Sequence, residues 1–297
     1  MDYMFLVIAA MLYSLMFLTN RGYQRAHGSG IDAALSFAMY TSMIALSLFL
    51  VLTAIGKISG LELLAGFRLE FSWFSFFMAS LGSLVLIGYS IFSIKALGSV
   101  NLSLFSIFAM LGGMLLPSLY GLIFSGEELT WGKVACYVLI AIALMLTFEK
   151  GAKSNKKSLI YCFGVFVLNG LSGVVTSIHR EPQFAHLAVS SEDYTMLNRA
   201  INIVVCFVAL LIICKKIPKL HLGDLKDVSG NAVCAGMGNL LQLIALVSLP
   251  SSVLFPIVTG GTMLFSAIVS FLIKEKPSAR TVIASIIAAA STVLMMF

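Results

Sequence analysis

Apolar runs of about 18 residues or more recur along this chain from one end to the other, each long enough to cross a hydrocarbon core roughly 30 Å thick. "MFLVIAAMLYSLMFLT" (Met4–Thr19) and "SFAMYTSMIALSLFLVLTAI" (Ser36–Ile55) stand within the first fifth of the sequence. Buried in lipid, such segments must satisfy every backbone N–H and C=O internally, so helices are expected. Composition agrees: of 297 residues 60% are hydrophobic and 11% charged, with a mean hydropathy of +1.02. Soluble domains carry roughly 25% charged residues. The fold class predicted is an all-α integral membrane protein. Polar or Gly/Pro punctuation divides it into ten spans, near 3–20, 31–55, 72–94, 100–124, 131–148, 158–178, 194–214, 228–247, 251–273 and 279–297. The loops are too short for a separate soluble domain.

The first span lacks a basic leading region and a small-residue cleavage site, so it reads as a span and not as a cleaved signal. The net charge of +6 comes from short basic clusters between apolar runs. Loops facing a cytoplasm look like that; a nucleic-acid-binding face does not. The five cysteines, at 136, 162, 206, 214 and 234, show neither CxxC nor metal-ligand spacing. They are expected to be buried free thiols, with no metal and no cofactor.

The chain also repeats itself. "RGYQRAH" (Arg21–His27) and "REPQFAH" (Arg180–His186) both read R-x-x-Q-x-A-H. "AMLGGMLLPSLYGLIFSGEELT" (Ala109–Thr130) aligns with "IVTGGTMLFSAIVSFLIKEKPS" (Ile257–Ser278) at an offset of 148 residues. That alignment matches Gly112–Gly113 with Gly260–Gly261, Ser118 with Ser266, and Glu127 with Glu275. Two matches in the same order point to a duplicated five-helix unit, residues 1–150 and 151–297 of one transmembrane domain. Five is odd, so the second copy enters the membrane upside down. Two inverted five-helix repeats are a mark of secondary transporters, with the substrate site near the midplane between them.

With these features the chain resembles the drug/metabolite transporter superfamily, in its EamA-like branch of ten-helix proteins. The residues that carry the resemblance are the turns Lys95–Ser99 and Ile244–Ser248, Pro256, Glu127 and Glu275; Phe108 stands where a second proline is usual. The resemblance implies alternating-access transport of a small metabolite, amino acid or drug-like solute. It also implies a multi-pass protein of a bacterial-type inner (cytoplasmic) membrane, monomeric or homodimeric, with both termini inside. Its partners would be the solute and the bilayer. The loop charges favour the opposite orientation: loops after spans 1, 3, 5, 7 and 9 hold 14 Lys and Arg against 4 on the other side. By the positive-inside rule both termini lie outside.

Polar residues inside spans are costly and face a bundle interior or a wet cavity. Thr195, Asn198, Arg199, Asn202 and Cys206 share one face of span 7. Arg199 either recognises a carboxylate or phosphate from a cavity wall, or snorkels about 9 Å back to the interface near Glu192 and Asp193. In span 8, Asn239 and Gln242 lie one turn apart, and Ser90 and Ser93, beside Tyr89, are their repeat mates in span 3. These residues line a cavity or clamp neighbouring helices. Asn169 with Ser172 and Thr176 forms a third stripe, while Tyr13 and Tyr40 read mainly as packing. The expected substrate-binding set is Tyr89, Ser90, Ser93, Asn169, Asn198, Arg199, Asn202, Asn239 and Gln242.

Lys95 is expected at an interface. His27 and His186 lie just outside their helices in a structural role. The paired glycines mark close helix crossings. Glu127 and Glu275 are expected to cap the helices that follow them, exposed and not buried. All thirteen carboxylates fall in loops or at helix ends, which argues against a proton antiporter built on a membrane-buried acid. The alternative function is an integral-membrane enzyme acting on a lipid or isoprenoid. The sequence has no HExxH, no Asp-rich pair and no Gly-x-Ser-x-Gly, so no catalytic residue is assigned.

Overall fold

The structure, a computed structural model, describes residues 2–59, 68–147, 156–246 and 251–294. Outside them lie most of the 149–157 loop, the middle of the 57–70 loop, Val247 and Ser248 of the second turn motif, the end of span 10 and the boundary between the repeats. The described residues form ten α-helices and no strand: α1 Asp2–His27, α2 Ile31–Ser59, α3 Trp73–Leu97, α4 Leu102–Phe124, α5 Trp131–Thr147, α6 Lys156–His179, α7 Ser191–Ala209, α8 Leu225–Leu246, α9 Ser251–Leu272 and α10 Ala279–Leu294. Six of them, α1, α2, α3, α4, α6 and α7, are long and apolar enough to cross a membrane. A π-helical turn, Leu210–Cys214, continues α7.

Local chemistry sets the helix ends. The Ser72, Asn101 and Ser190 side chains accept hydrogen bonds from the N–H groups of Ser75, Leu104 and Asp193, capping α3, α4 and α7. A side-chain cap of this kind typically stabilises a helix by about 1 kcal/mol. Gly28 (φ 79°) and Gly126 (φ 69°) take left-handed backbone just past α1 and α4, a conformation in which a Cβ would be strained.

Successive helices run in opposite directions, as the ties at each end show. At the end where α1 finishes (the lower end), His27 Nε2 lies 2.8 Å from Asp224 and Lys216 lies 2.9 Å from Asp32. Burial pushes the Asp224 carboxyl up, but hydrogen bonds from His27 and from the His221 N–H outweigh it and hold the group below its ordinary value. At the end where α1 begins (the upper end), the Asp193 carboxylate accepts the backbone N–H groups of Arg68, Leu69 and Glu70 at 3.1, 2.9 and 3.1 Å.

Helix faces are sorted by polarity. On α7, Asn198, Asn202 and Cys206 are buried, while Val204, Phe207, Leu211 and Ile212 on the opposite face and the π turn are exposed. An apolar outside around a polar inside suits lipid as the surrounding solvent. The paired glycines are contact points, as their sequence pattern predicts. A Cβ on Gly112 would clash with the Phe166 carbonyl oxygen of α6, and one on Gly261 would lie 2.9 Å from Ala10 of α1.

Three expectations need correction. First, α1 does not stop at residue 20 but runs to His27, which is its last residue and not outside it. The polar turns stay helical because they are packed: Tyr23 is buried, stacked on His27 at 4.3 Å and tilted on Phe37 at 4.7 Å. Second, the structural role expected of both histidines is seen at His27 only; His186 does lie outside its helix, in the turns after α6, but is exposed there. Third, Glu275 is mostly buried, not exposed, and does not cap α10. Its side chain is 9% exposed, ion-paired with Arg21 at 2.6 Å and Arg25 at 2.9 Å. It accepts the Leu102 N–H at 2.8 Å, at the N-terminus of α4. The first turn of α10 is held by Ser278 through the Thr281 N–H.

Candidate functional site

Two adjoining cavities, of about 360 and 340 Å³, occupy the middle of the bundle. Their walls come from α1, α2, α3 and α4 and from α6, α7, α8 and α9, while α5 and α10 pack on each other and line neither. The upper cavity runs from Gly82 and Asn239 past Tyr194 and Thr195 to Arg180. Arg180 is exposed, so this cavity reaches solvent at the upper end. The lower cavity runs from Thr259 down to Asn20 and Ser93. Just below it, Arg21 donates to the carbonyls of Leu97 and Val100 and pairs with the mostly buried Glu275. Tyr13, Met16, Thr41, Leu86, Arg199 and Ala235 line both cavities and form the junction.

All nine expected residues are on these walls. Tyr89, Ser90, Ser93, Asn169, Asn202 and Gln242 border the lower cavity, Asn198 and Asn239 the upper one, and Arg199 both. Several also clamp helices. Asn169 Nδ2 donates to the Ala109 carbonyl at 2.6 Å, Asn198 Nδ2 to Ala79 at 3.1 Å, and Asn202 Nδ2 to Ser42 Oγ at 2.7 Å. Gln242 accepts the Tyr13 hydroxyl at 2.9 Å through Oε1, which leaves its NH₂ donors for other partners. Lining and clamping are therefore not alternatives here, since one amide does both.

Arg199 borders both cavities and is not paired with Asp193. The acid nearest in sequence on its helix, Asp193, is taken up by the amides of residues 68–70. No ion pair or hydrogen bond of Arg199 occurs among the described residues, and neither cavity is lined by Asp or Glu. Tyr40, in contrast, is packing: its hydroxyl donates to the Pro218 carbonyl at 2.7 Å. Lys95 sits over the Tyr161 ring at 5.7 Å.

The sequence reading missed Thr41, Asn20, Asn231 and Arg180. Thr41 is 7% exposed, and its hydroxyl has no hydrogen-bond partner. Its signal was the polar triplet Tyr40-Thr41-Ser42 inside an apolar run. Asn231 donates to Asn20 Oδ1 at 2.8 Å. Among the described residues no cluster of His, Cys, Asp or Glu could hold a metal ion, and the five cysteines are free thiols.

No protein-family description matches this sequence, and no curated protein matches it. A solved structure described only as the crystal structure of a protein superposes with a TM-score of 0.63 at 17% identity, covering 99% of this chain and 96% of its own. At that identity the likeness is one of fold, extending over the full length of both chains.

Proposed function

We propose that this chain is a secondary transporter of a small solute, with ten spans arranged as two inverted five-helix repeats that rock against each other. The observation that carries the proposal is the central cavity. It is lined by polar side chains set among apolar ones, built from helices of both halves and open to solvent at the upper end, with the Arg21–Glu275 ion pair lying below its lower end. Polar side chains at membrane depth are costly, and in transporters they line the path of the substrate.

The repeat reading has its own support. Helix contacts recur when five is added to each helix number: α1 with α8 and α3 with α6, α2 with α8 and α3 with α7, α1 with α9 and α4 with α6. Gly126 and Lys274, paired by the 148-residue offset, both take left-handed φ, at 69° and 60°. A Cβ on Gly113 would meet Asn169 and one on Gly261 would meet Ala10, positions that the two sequence alignments also pair. These features favour the drug/metabolite transporter resemblance, as does a pair of cavities within the roughly 300–1,000 Å³ range of small-molecule sites.

The test is solute flux into proteoliposomes, run beside thermal shift of the purified protein with a panel of metabolites. Saturable flux of a solute that also stabilises the protein is the expected outcome. A folded protein that neither moves nor is stabilised by any member of a panel spanning anions, cations, zwitterions and neutral solutes overturns the reading.

A further inference from the structure

We infer that the cavity takes an anionic solute, a small carboxylate or phosphate bound at the junction by the Arg199 guanidinium and the Thr41 hydroxyl. The inference rests on the transporter reading only for the direction in which the ligand moves. Three observations carry it.

The first is an uncompensated charge. A guanidinium carries its positive charge at any physiological pH, and Arg199 lies where the two cavities meet. A charge at membrane depth is normally paired within the protein. Here the acid six residues earlier on the same helix, Asp193, binds three backbone amides instead. Among the described residues nothing else offers Arg199 a negative partner.

The second is an unsatisfied hydroxyl. Thr41 Oγ1 is buried, lines both cavities and has no hydrogen-bond partner. Buried polar groups are rarely left so unless a ligand or water completes them. A ligand oxyanion would accept from this hydroxyl and from the planar N–H fork of Arg199 together.

The third is the sign of the remaining wall. Among the described residues neither cavity wall holds a carboxylate, and the upper one has a second cation, Arg180, at its mouth. Walls of one sign around a low-dielectric cleft concentrate counter-ions and repel like charge. An organic cation would find no acid to pair with and two guanidiniums on its path. The ammonium of an amino acid would have only neutral acceptors, so solutes of net negative charge fit better than zwitterions. Met16, Leu86 and Phe49 supply apolar wall for a short carbon skeleton.

Ligand binding to the unaltered protein is the first measurement, by thermal shift and by calorimetry in detergent. Succinate and inorganic phosphate are the anionic probes, with succinamide as neutral and tetramethylammonium as cationic control. One or both anions should stabilise the protein, succinamide should bind at least about 10-fold more weakly than succinate, and tetramethylammonium should not bind. The two anions separate a carboxylate site from a phosphate site. Equal response to succinate and succinamide overturns the inference without any variant.

Variants then locate the contact. Arg199→Gln should lose roughly 30-fold or more in anion affinity, Arg199→Lys should retain part of it, and Thr41→Val should lose about 3- to 10-fold. In the absence of ligand, Arg199→Gln should melt no lower than the parent, because an unpaired charge has been removed. A lower melting temperature for Arg199→Gln with unchanged anion binding would make Arg199 a structural residue and sink the assignment. Failure of the two proposals is distinguishable. Anion binding without flux removes the transporter and leaves the site, whereas flux of an anionic solute at parental rates in Arg199→Gln removes the site and leaves the transporter.

Discussion

At the lower end, Glu275 gathers Arg21, Arg25 and the first amide of α4 onto one carboxylate that is 9% exposed. At the upper end its sequence counterpart, Glu127, is 52% exposed and pairs with Lys133 at 2.8 Å, in the first turn of its own neighbour α5. Arg180, the counterpart of Arg21, makes no ion pair among the described residues and borders the cavity mouth. The same residue types at aligned positions thus tie three helices together at one end and stand apart at the other. In a molecule that rocks between two arrangements, this is what one latch made and its copy released would look like. The difference also locates the strength of the lower end in non-local charge pairing, which can be broken one residue at a time.

The largest effect should come from Glu275→Gln. The change strands Arg21, 13% exposed, beside a neutral amide that still accepts from Leu102. Removing one partner of a mostly buried pair costs about 3–5 kcal/mol, so the thermal unfolding midpoint in detergent should fall clearly. A cysteine at Ser90, introduced on a cysteine-free background, should at the same time label faster from the lower end. Adding Arg21→Gln should recover part of the lost stability, because the two changes meet at one contact. An unchanged midpoint would mean that the lower end is closed by packing and not by charge.

Asp193→Asn should come next. This carboxylate also ties backbone, yet it holds the segment before α3 to α7 and does not span the cavity mouth. An amide can offer one oxygen to the three N–H groups and turns its own NH₂ toward the rest. Charge-assisted hydrogen bonds contribute about 1.5–3 kcal/mol, so the midpoint should drop by less than for Glu275→Gln, while cavity access from the lower end stays as in the parent. If Asp193→Asn opens the lower end, the two ends are not independent in the way compared here.

How far the sequence could be read follows from which interactions are local. The helices, their close glycine crossings and the polar face of α7 were legible, because residues three and four apart share a helix face and lipid forces polar groups inward. Of the nine expected wall residues, those on α6, α7 and α8 came from that periodicity, and Tyr89, Ser90 and Ser93 from the repeat. Glu275 was misread because its partners Arg21 and Leu102 lie on other helices, 254 and 173 positions away in the chain. A carboxylate just before a helix looks like that helix's cap until the fold brings another N-terminus closer. Thr41 escaped because one hydroxyl in an apolar helix usually bonds its own backbone, and only the structure shows that this one does not. The end of α1 was cut short for a related reason: its last turns are polar in sequence but buried against Phe37 and Val228 of other helices.

The smallest effect on stability, and the sharpest test of the comparison, belongs to Glu127→Gln. An ion pair this exposed contributes about 0–1 kcal/mol, so the midpoint should be close to that of the parent. Its effect on transport should be larger. If the upper end closes by forming the bond that the lower end already has, Glu127 must leave Lys133 and reach Arg180 once in every cycle. Glu127→Gln and Arg180→Gln should then each slow solute exchange in proteoliposomes at equal expression. The double variant should be no slower than the worse single one, since both remove the same contact. Independent roles would instead multiply. Parental rates in both single variants would show that Glu127 belongs only to the α4–α5 turn. The likeness of the two ends would then be a relic of sequence without a counterpart in the working molecule.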